Sequence, residues 1–191
     1  MKRRQAIANI FFIGGTAFAA IIGYEWYDLK KKPDLRVLPS YKALIAELAE
    51  TIIPETDTPG AKSAKVEDFI VLFISDCEDS KEQNSFLKGL TEVEAFAYKK
   101  YRLPFEKCGS QEKVAILQHF ESKSSNWHPF INKVRVKVFG RTFFNQLKEL
   151  TVIGYCTSEI GCKKGLAYDY MPITYEPCIP LLKHQKSWAT K

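Results

Sequence analysis

Val66-Glu-Asp-Phe-Ile-Val-Leu-Phe-Ile-Ser-Asp-Cys77 is the stretch that decides how the chain is read. Val66, Phe69, Ile70, Phe73, Ile74 and Cys77 fall at i, i+3, i+4, i+7, i+8 and i+11, the apolar stripe of an amphipathic helix. Upstream, Ser40 reads as an N-cap, and Leu44, Ile45, Leu48, Ala49 and Ile52 share one helical face until Pro54 ends it. Thr56-Asp-Thr-Pro-Gly60 supplies the turn. Downstream, Ser80 with Gln83 has the form of a capping box, and Phe86, Leu90, Val93, Ala97 and Tyr101 mark a third helix that Pro104 stops. Ser110 to about Glu121 gives a fourth, with Val114, Leu117 and Phe120 inside, and Pro129 opens a fifth. There Val134, Val136 and Val138 alternate with charged residues as a half-buried strand would, whereas Phe143, Phe144, Leu147 and residues 150–153 keep helical spacing. The reading favours helix, bent near Gly140. The expectation is an all-α domain of about five helices.

Outside that domain the chain changes character at both ends. The 191 residues fit one domain, and 46% hydrophobic with 26% charged residues is a globular composition. Beyond Gly154, Gly161, Gly165, Pro172, Pro177 and Pro180 interrupt any regular element, which predicts an extended tail over 154–191. Tyr155, Tyr168, Tyr170, Met171, Tyr175, Ile179 and Leu181 make it too apolar for a solvated segment, so it should lie against its own helices or a partner.

The net charge of +6 concentrates at the other end. Residues 1–32 carry +4, and the remainder carries +2 from 22 positives against 20 acids, which argues against a nucleic-acid-binding face. Met1-Lys-Arg-Arg precedes an uncharged apolar run from Gln5 to Tyr24, an export or anchoring segment over 1–24. Arg3-Arg4 resembles a twin-arginine export signal; an ordinary secretory signal is the other reading. Ala17-Phe-Ala19 has the small-x-small form of a cleavage site, yet the run is near the ~18 residues that span a bilayer, so cleavage and inner-membrane anchoring both stand. Either fate places residues 40–153 and the tail in the periplasm, joined by a polar linker over 25–39.

No G-x-G-x-x-G, G-x-x-x-x-G-K-[ST], C-x-x-C-H or C-x-x-C occurs, so the sequence assigns no flavin, nucleotide or haem to this chain. His119, His128 and His184 lack ligand spacing, and no metal is assigned. Nothing resembles G-x-S-x-G, and no catalytic residue is named. Cys77, Cys108, Cys156, Cys162 and Cys178 would tend to pair in an oxidising compartment, and an odd count leaves one over. Cys178, in the Pro-rich tail, is the candidate for an interchain disulfide. Cys156 with Cys162 is a local pair if their Cα atoms come within ~7 Å, and Cys77 with Cys108 would bracket the third helix.

Four stretches then carry a resemblance: Leu48-Ala-Glu-Thr-Ile-Ile-Pro-Glu-Thr-Asp-Thr-Pro-Gly-Ala61, Phe86-Leu-Lys-Gly-Leu90, the run from Phe143 through Gly154-Tyr-Cys-Thr-Ser-Glu-Ile-Gly161, and Tyr175-Glu-Pro-Cys-Ile-Pro-Leu181. In this order they resemble the gluconate 2-dehydrogenase subunit 3 family, over about Ser40 to Leu181. The resemblance implies a non-catalytic accessory subunit of a large flavin-dependent oxidoreductase of the glucose-methanol-choline type, often with a multihaem cytochrome c as electron acceptor. FAD would then sit on the partner and haem c on a third subunit. It also implies that the small subunit carries the twin-arginine signal and escorts the folded flavoprotein through the inner membrane. Tyr155, Thr157, Ser158, Glu159, Ile160, Gly161 and Tyr175 become candidate partner contacts; the other reading of 157–161 is that it caps the preceding helix and turns the chain. The alternative function is a self-contained, membrane-anchored periplasmic binding or scaffold domain.

Overall fold

In the computed structural model, which describes residues 27–125, 129–171 and 183–189 together with 23, 178 and 180, six α-helices carry the fold. They are α1 (Lys42–Ile52), α2 (Val66–Asp76), α3 (Ser80–Tyr101), α4 (Ser110–Ser125), α5 (Pro129–Phe139) and α6 (Phe143–Thr157). Among the described residues no strand forms, and one isolated bridge joins Ala167 to Trp188.

α6 is the central element, packing against α1, α2, α3 and α4. Phe143, Phe144, Leu147, Leu150 and Tyr155 are buried along it. They meet Leu44, Ile45, Leu48, Ile70, Ile74, Phe86, Leu90, Ile116 and Phe120 in one core. The Phe143 ring lies 5.3 Å from Phe86 and 6.2 Å from Phe120, a tilted and edge-on cluster of the kind that adds ~1 kcal/mol per pair beyond area burial.

The helix faces follow the spacing, and the caps and ends depart from it. Ser40 is not an N-cap: a 3-10 helix, Leu35–Tyr41, feeds directly into α1, and the Ser40 hydroxyl donates back to the Val37 carbonyl at 2.6 Å. At α3 the cap is Asp79, whose carboxylate accepts from the Glu82 N–H at 2.9 Å. Gln83 instead reaches the Ile74 and Ser75 carbonyls at the end of α2, so it ties two helices together. Val114 is exposed, and Ile116 takes the core position beside Leu117 and Phe120. The alternating valines of 134–138 lie in α5, and the chain breaks rather than bends at Gly140, where φ is +83°. That left-handed conformation suits glycine and sends the next residues into α6 as a separate helix.

Two expected boundaries also move. α6 runs through Gly154 to Thr157 and is followed by a π-helical turn, Gly161–Gly165, so regular structure continues past residue 153. After it, residues 183–189 return to residue 167, with Ala167 donating to the Ser187 carbonyl and accepting from Ala189, both at 2.8 Å. Tyr168, Tyr170 and Met171 are exposed. At the other end, Leu38 is fully buried, and the Asn84 side-chain amide donates to the Leu29 and Lys31 carbonyls at 2.9 and 2.7 Å. Residues 29–38 are thereby held against the helical body.

One polar link spans α1, α4 and the turn after residue 60. Glu47 accepts from Lys113 at 2.8 Å and from Lys62 at 2.5 Å. Burial raises the Glu47 carboxyl, and the hydrogen bonds and charges of the two lysines more than reverse it, leaving its pKa below the usual value. A depressed folded pKa contributes stability that is present above the unfolded value and lost as pH falls through the folded one. Glu47→Gln should therefore cost about 1 kcal/mol near neutrality and progressively less under acid, read from urea midpoints as a function of pH.

Candidate functional site

Two parts of the sequence that carry the resemblance, residues 48–61 and 154–161, meet in the fold. The first forms a clamped loop. Its neck is closed by the Ala61 N–H donating to the Ile53 carbonyl at 3.0 Å. Inside it, the Glu50 carboxylate accepts from the Glu55 N–H at 2.8 Å and the Lys62 N–H at 2.9 Å, satisfying donors that α1 and the turn leave open. Across the tip the Thr56 N–H donates to the Thr58 carbonyl at 3.0 Å. Pro54, Glu55, Thr56 and Asp57 are thus exposed on a fixed backbone.

The second stretch ends α6. Ser158 has extended backbone, its N–H donates to the Gly154 and Tyr155 carbonyls, and its hydroxyl donates to the Tyr155 carbonyl at 2.8 Å while accepting from the Gly161 N–H at 2.9 Å. Ser158 and Gly161 therefore cap the helix and turn the chain. Tyr155 links the two stretches: its hydroxyl donates to the Pro59 carbonyl at 2.7 Å, and its ring is buried. Tyr155→Phe deletes that bond and leaves a part-buried carbonyl without it. It is expected to cost about 1 kcal/mol and to speed hydrogen exchange in the 53–61 loop before other segments.

The expected contact residues therefore divide. Tyr155, Ser158 and Gly161 are occupied in building the end of α6; Ile160 is half-buried; Thr157 and Glu159 face solvent. Lys163 donates to Glu159 at 2.6 Å, and this hydrogen bond and charge hold the exposed Glu159 carboxyl below its usual pKa. Tyr175, Arg3, Arg4 and the apolar run to Gly23 lie outside the described residues, save Gly23 itself. Apolar exposure nearby falls on Leu72 of α2 and on Val152 and Ile153 of α6. Leu72 lies off the stripe read for α2, whereas Val152 and Ile153 fall in the stretch whose spacing was read as helical with no outward face assigned.

The five cysteines are free thiols. Cys77 and Cys108 flank α3 and do not pair with each other. Cys77 is exposed at the end of α2, and Cys108 is buried, its sulfur 3.5 Å from the Pro104 carbonyl. Cys178 is exposed. His119 stacks on Phe96 at 4.4 Å, and His184 is exposed. Among the described residues no cluster of three His, Cys, Asp or Glu could hold a metal, and no helix is long and apolar enough to cross a membrane.

Residues 39–175 match the family model described as Gluconate 2-dehydrogenase subunit 3. The chain belongs to that family. Its match covers the clamped loop, Tyr155 and the cap of α6, and ends three residues before Cys178. Neither a curated protein nor a solved structure matches the chain.

Proposed function

We propose that this subunit 3 family member is the non-catalytic small subunit of an exported dehydrogenase complex, bound to a large flavoprotein of the glucose-methanol-choline type. The observation that carries the reading is the family match over residues 39–175. The clamped loop and the cap of α6 support it, since together they present Glu55, Thr56, Asp57, Thr157 and Glu159 on a backbone fixed before any partner arrives. Preorganised contacts of this kind lower the ordering cost of association. In this reading the flavin chemistry belongs to the large subunit, and a multihaem cytochrome c takes the electrons. Arg3 and Arg4 direct twin-arginine export of the folded pair to the periplasmic side of the inner membrane, where residues 1–24 anchor it or are removed. Cys178 forms the covalent link to the flavoprotein.

Purification of the tagged full chain from its native membranes in mild detergent tests this. The expected result is a yellow complex with a flavoprotein-sized partner that separates on a denaturing gel only after reduction. Cys178→Ser should abolish the covalent species and keep the partner. A colourless chain without a large subunit would overturn the reading and favour the self-contained scaffold domain.

A further inference from the structure

The break at Ser158 returns the chain alongside the last turn of α6. Gly161 packs so close to the Tyr155 carbonyl that a Cβ there would overlap the oxygen. One residue on, the Cys162 sulfur lies 2.8 Å from the Cys156 carbonyl oxygen. Two successive residues of the returning segment thus face two successive residues of the helix, which brings Cys162 directly against Cys156. The Cys162 N–H donates to the Ser158 carbonyl at 2.9 Å and fixes this approach in the backbone. Both side chains are half-buried, and burial, then the neighbouring Cys162 sulfur, pushes the Cys156 thiol upward. Cys77, Cys108 and Cys178 each occupy a different part of the fold.

We propose that Cys156 and Cys162 are a dithiol site which a disulfide-bearing oxidant, such as a protein thiol oxidase or glutathione disulfide, converts into an intrachain disulfide across the end of α6. One cysteine thiolate attacks the oxidant's S–S bond, forming a mixed disulfide and expelling one oxidant thiolate. The second thiolate attacks the cysteine sulfur of that mixed disulfide, the Cys156–Cys162 bond forms, and the other oxidant thiolate leaves. The two cysteines lose two electrons in all, the oxidant gains them, and their two protons end on its thiols. Closure needs the Cys162 side chain to swing from the Cys156 carbonyl to the Cys156 sulfur. The ring encloses Thr157 and Glu159 and holds them in their exposed positions. The step is a property of this chain alone and holds whether or not a flavoprotein binds.

The experiment uses the purified full chain in uncharged detergent, reduced, equilibrated with glutathione and glutathione disulfide, alkylated and cut with trypsin. Cleavage after Lys148 and Lys163 isolates Glu149–Lys163, which holds both cysteines and no other, while Cys178 falls in a separate peptide. The expected product carries no alkyl group and has lost two hydrogens. Two alkyl groups on that peptide, or glutathione retained on it, under conditions that oxidise Cys178 would overturn the proposal. In Cys162→Ser, Cys156 should carry glutathione or an alkyl group; its protection there would equally sink the assignment.

Discussion

Gly161→Ala is expected to destabilise the protein by about 3 kcal/mol, seen as a lower urea midpoint at unchanged slope. The added methyl would overlap the Tyr155 carbonyl oxygen and lie 2.8 Å from the Ser158 hydroxyl. That carbonyl is backbone in the final turn of α6, already accepting from the Ser158 N–H and hydroxyl, so it cannot yield without undoing the cap. If the turn moves, the Tyr155 hydroxyl should lose Pro59 as well, and the variant should combine with Tyr155→Phe at less than the sum of the two costs. A midpoint equal to wild type would show that the return of the chain is loosely packed and would remove the geometric basis for the tight end of α6.

Arg141→Met should cost a similar amount, about 3 kcal/mol near neutral pH, because it leaves two mostly buried carboxylates without their cation. The Arg141 guanidinium binds Glu78 and reaches Glu149 at 2.8 Å, while its backbone N–H donates to both Glu82 oxygens at 3.1 Å. The Glu78 and Glu82 side chains are only 9% and 13% exposed. Burial lifts the Glu82 carboxyl above its usual pKa even against the Arg141 backbone hydrogen bond and charge, with Glu78 adding to the rise and Lys81 opposing it. A raised folded pKa means the native state holds this proton to higher pH than the unfolded chain, so stability drops as pH rises through the folded value. Without Arg141 that rise steepens. The deficit of the variant should shrink toward zero as the carboxyls are protonated and reach its full size at neutrality. A deficit independent of pH would assign the effect to lost packing of the arginine stem and not to charge.

How much of this was legible in the chain varies by element. The faces of α1, α2 and α3 were, down to Leu44, Ile70 and Phe86, since the residues that share a helical stripe are set by the repeat of the helix itself. The capping residues of α1 and α3 were not. Ser40 and Ser80 have the right chemistry one residue from where the backbone turns, and Asp79 or a preceding 3-10 helix takes the role. The valines of α5 alternate like a strand because Arg135 and Lys137 happen to fall between them, and helical hydrogen bonding overrides a two-residue pattern that short. In the 157–161 stretch the sequence offered partner contact and helix cap as readings; the Ser158 and Gly161 hydrogen bonds form a cap, and Thr157 and Glu159 stay exposed beside it.

By itself the sequence determined the all-α class, the order of the helices, the core faces of α1, α2 and α3 and family membership, all of which rest on local spacing or on motifs read in order. Only the tertiary structure decided that Tyr155 turns inward to Pro59, that Asn84 holds residues 29 and 31, that Arg141 closes on Glu78 and Glu82, and that Cys162 returns to Cys156. The physical reason is that a helix's hydrogen bonds join residues four apart, so its periodicity is written in neighbouring positions. The bond from Tyr155 spans 96 positions and depends on where separate helices pack, which no local pattern encodes.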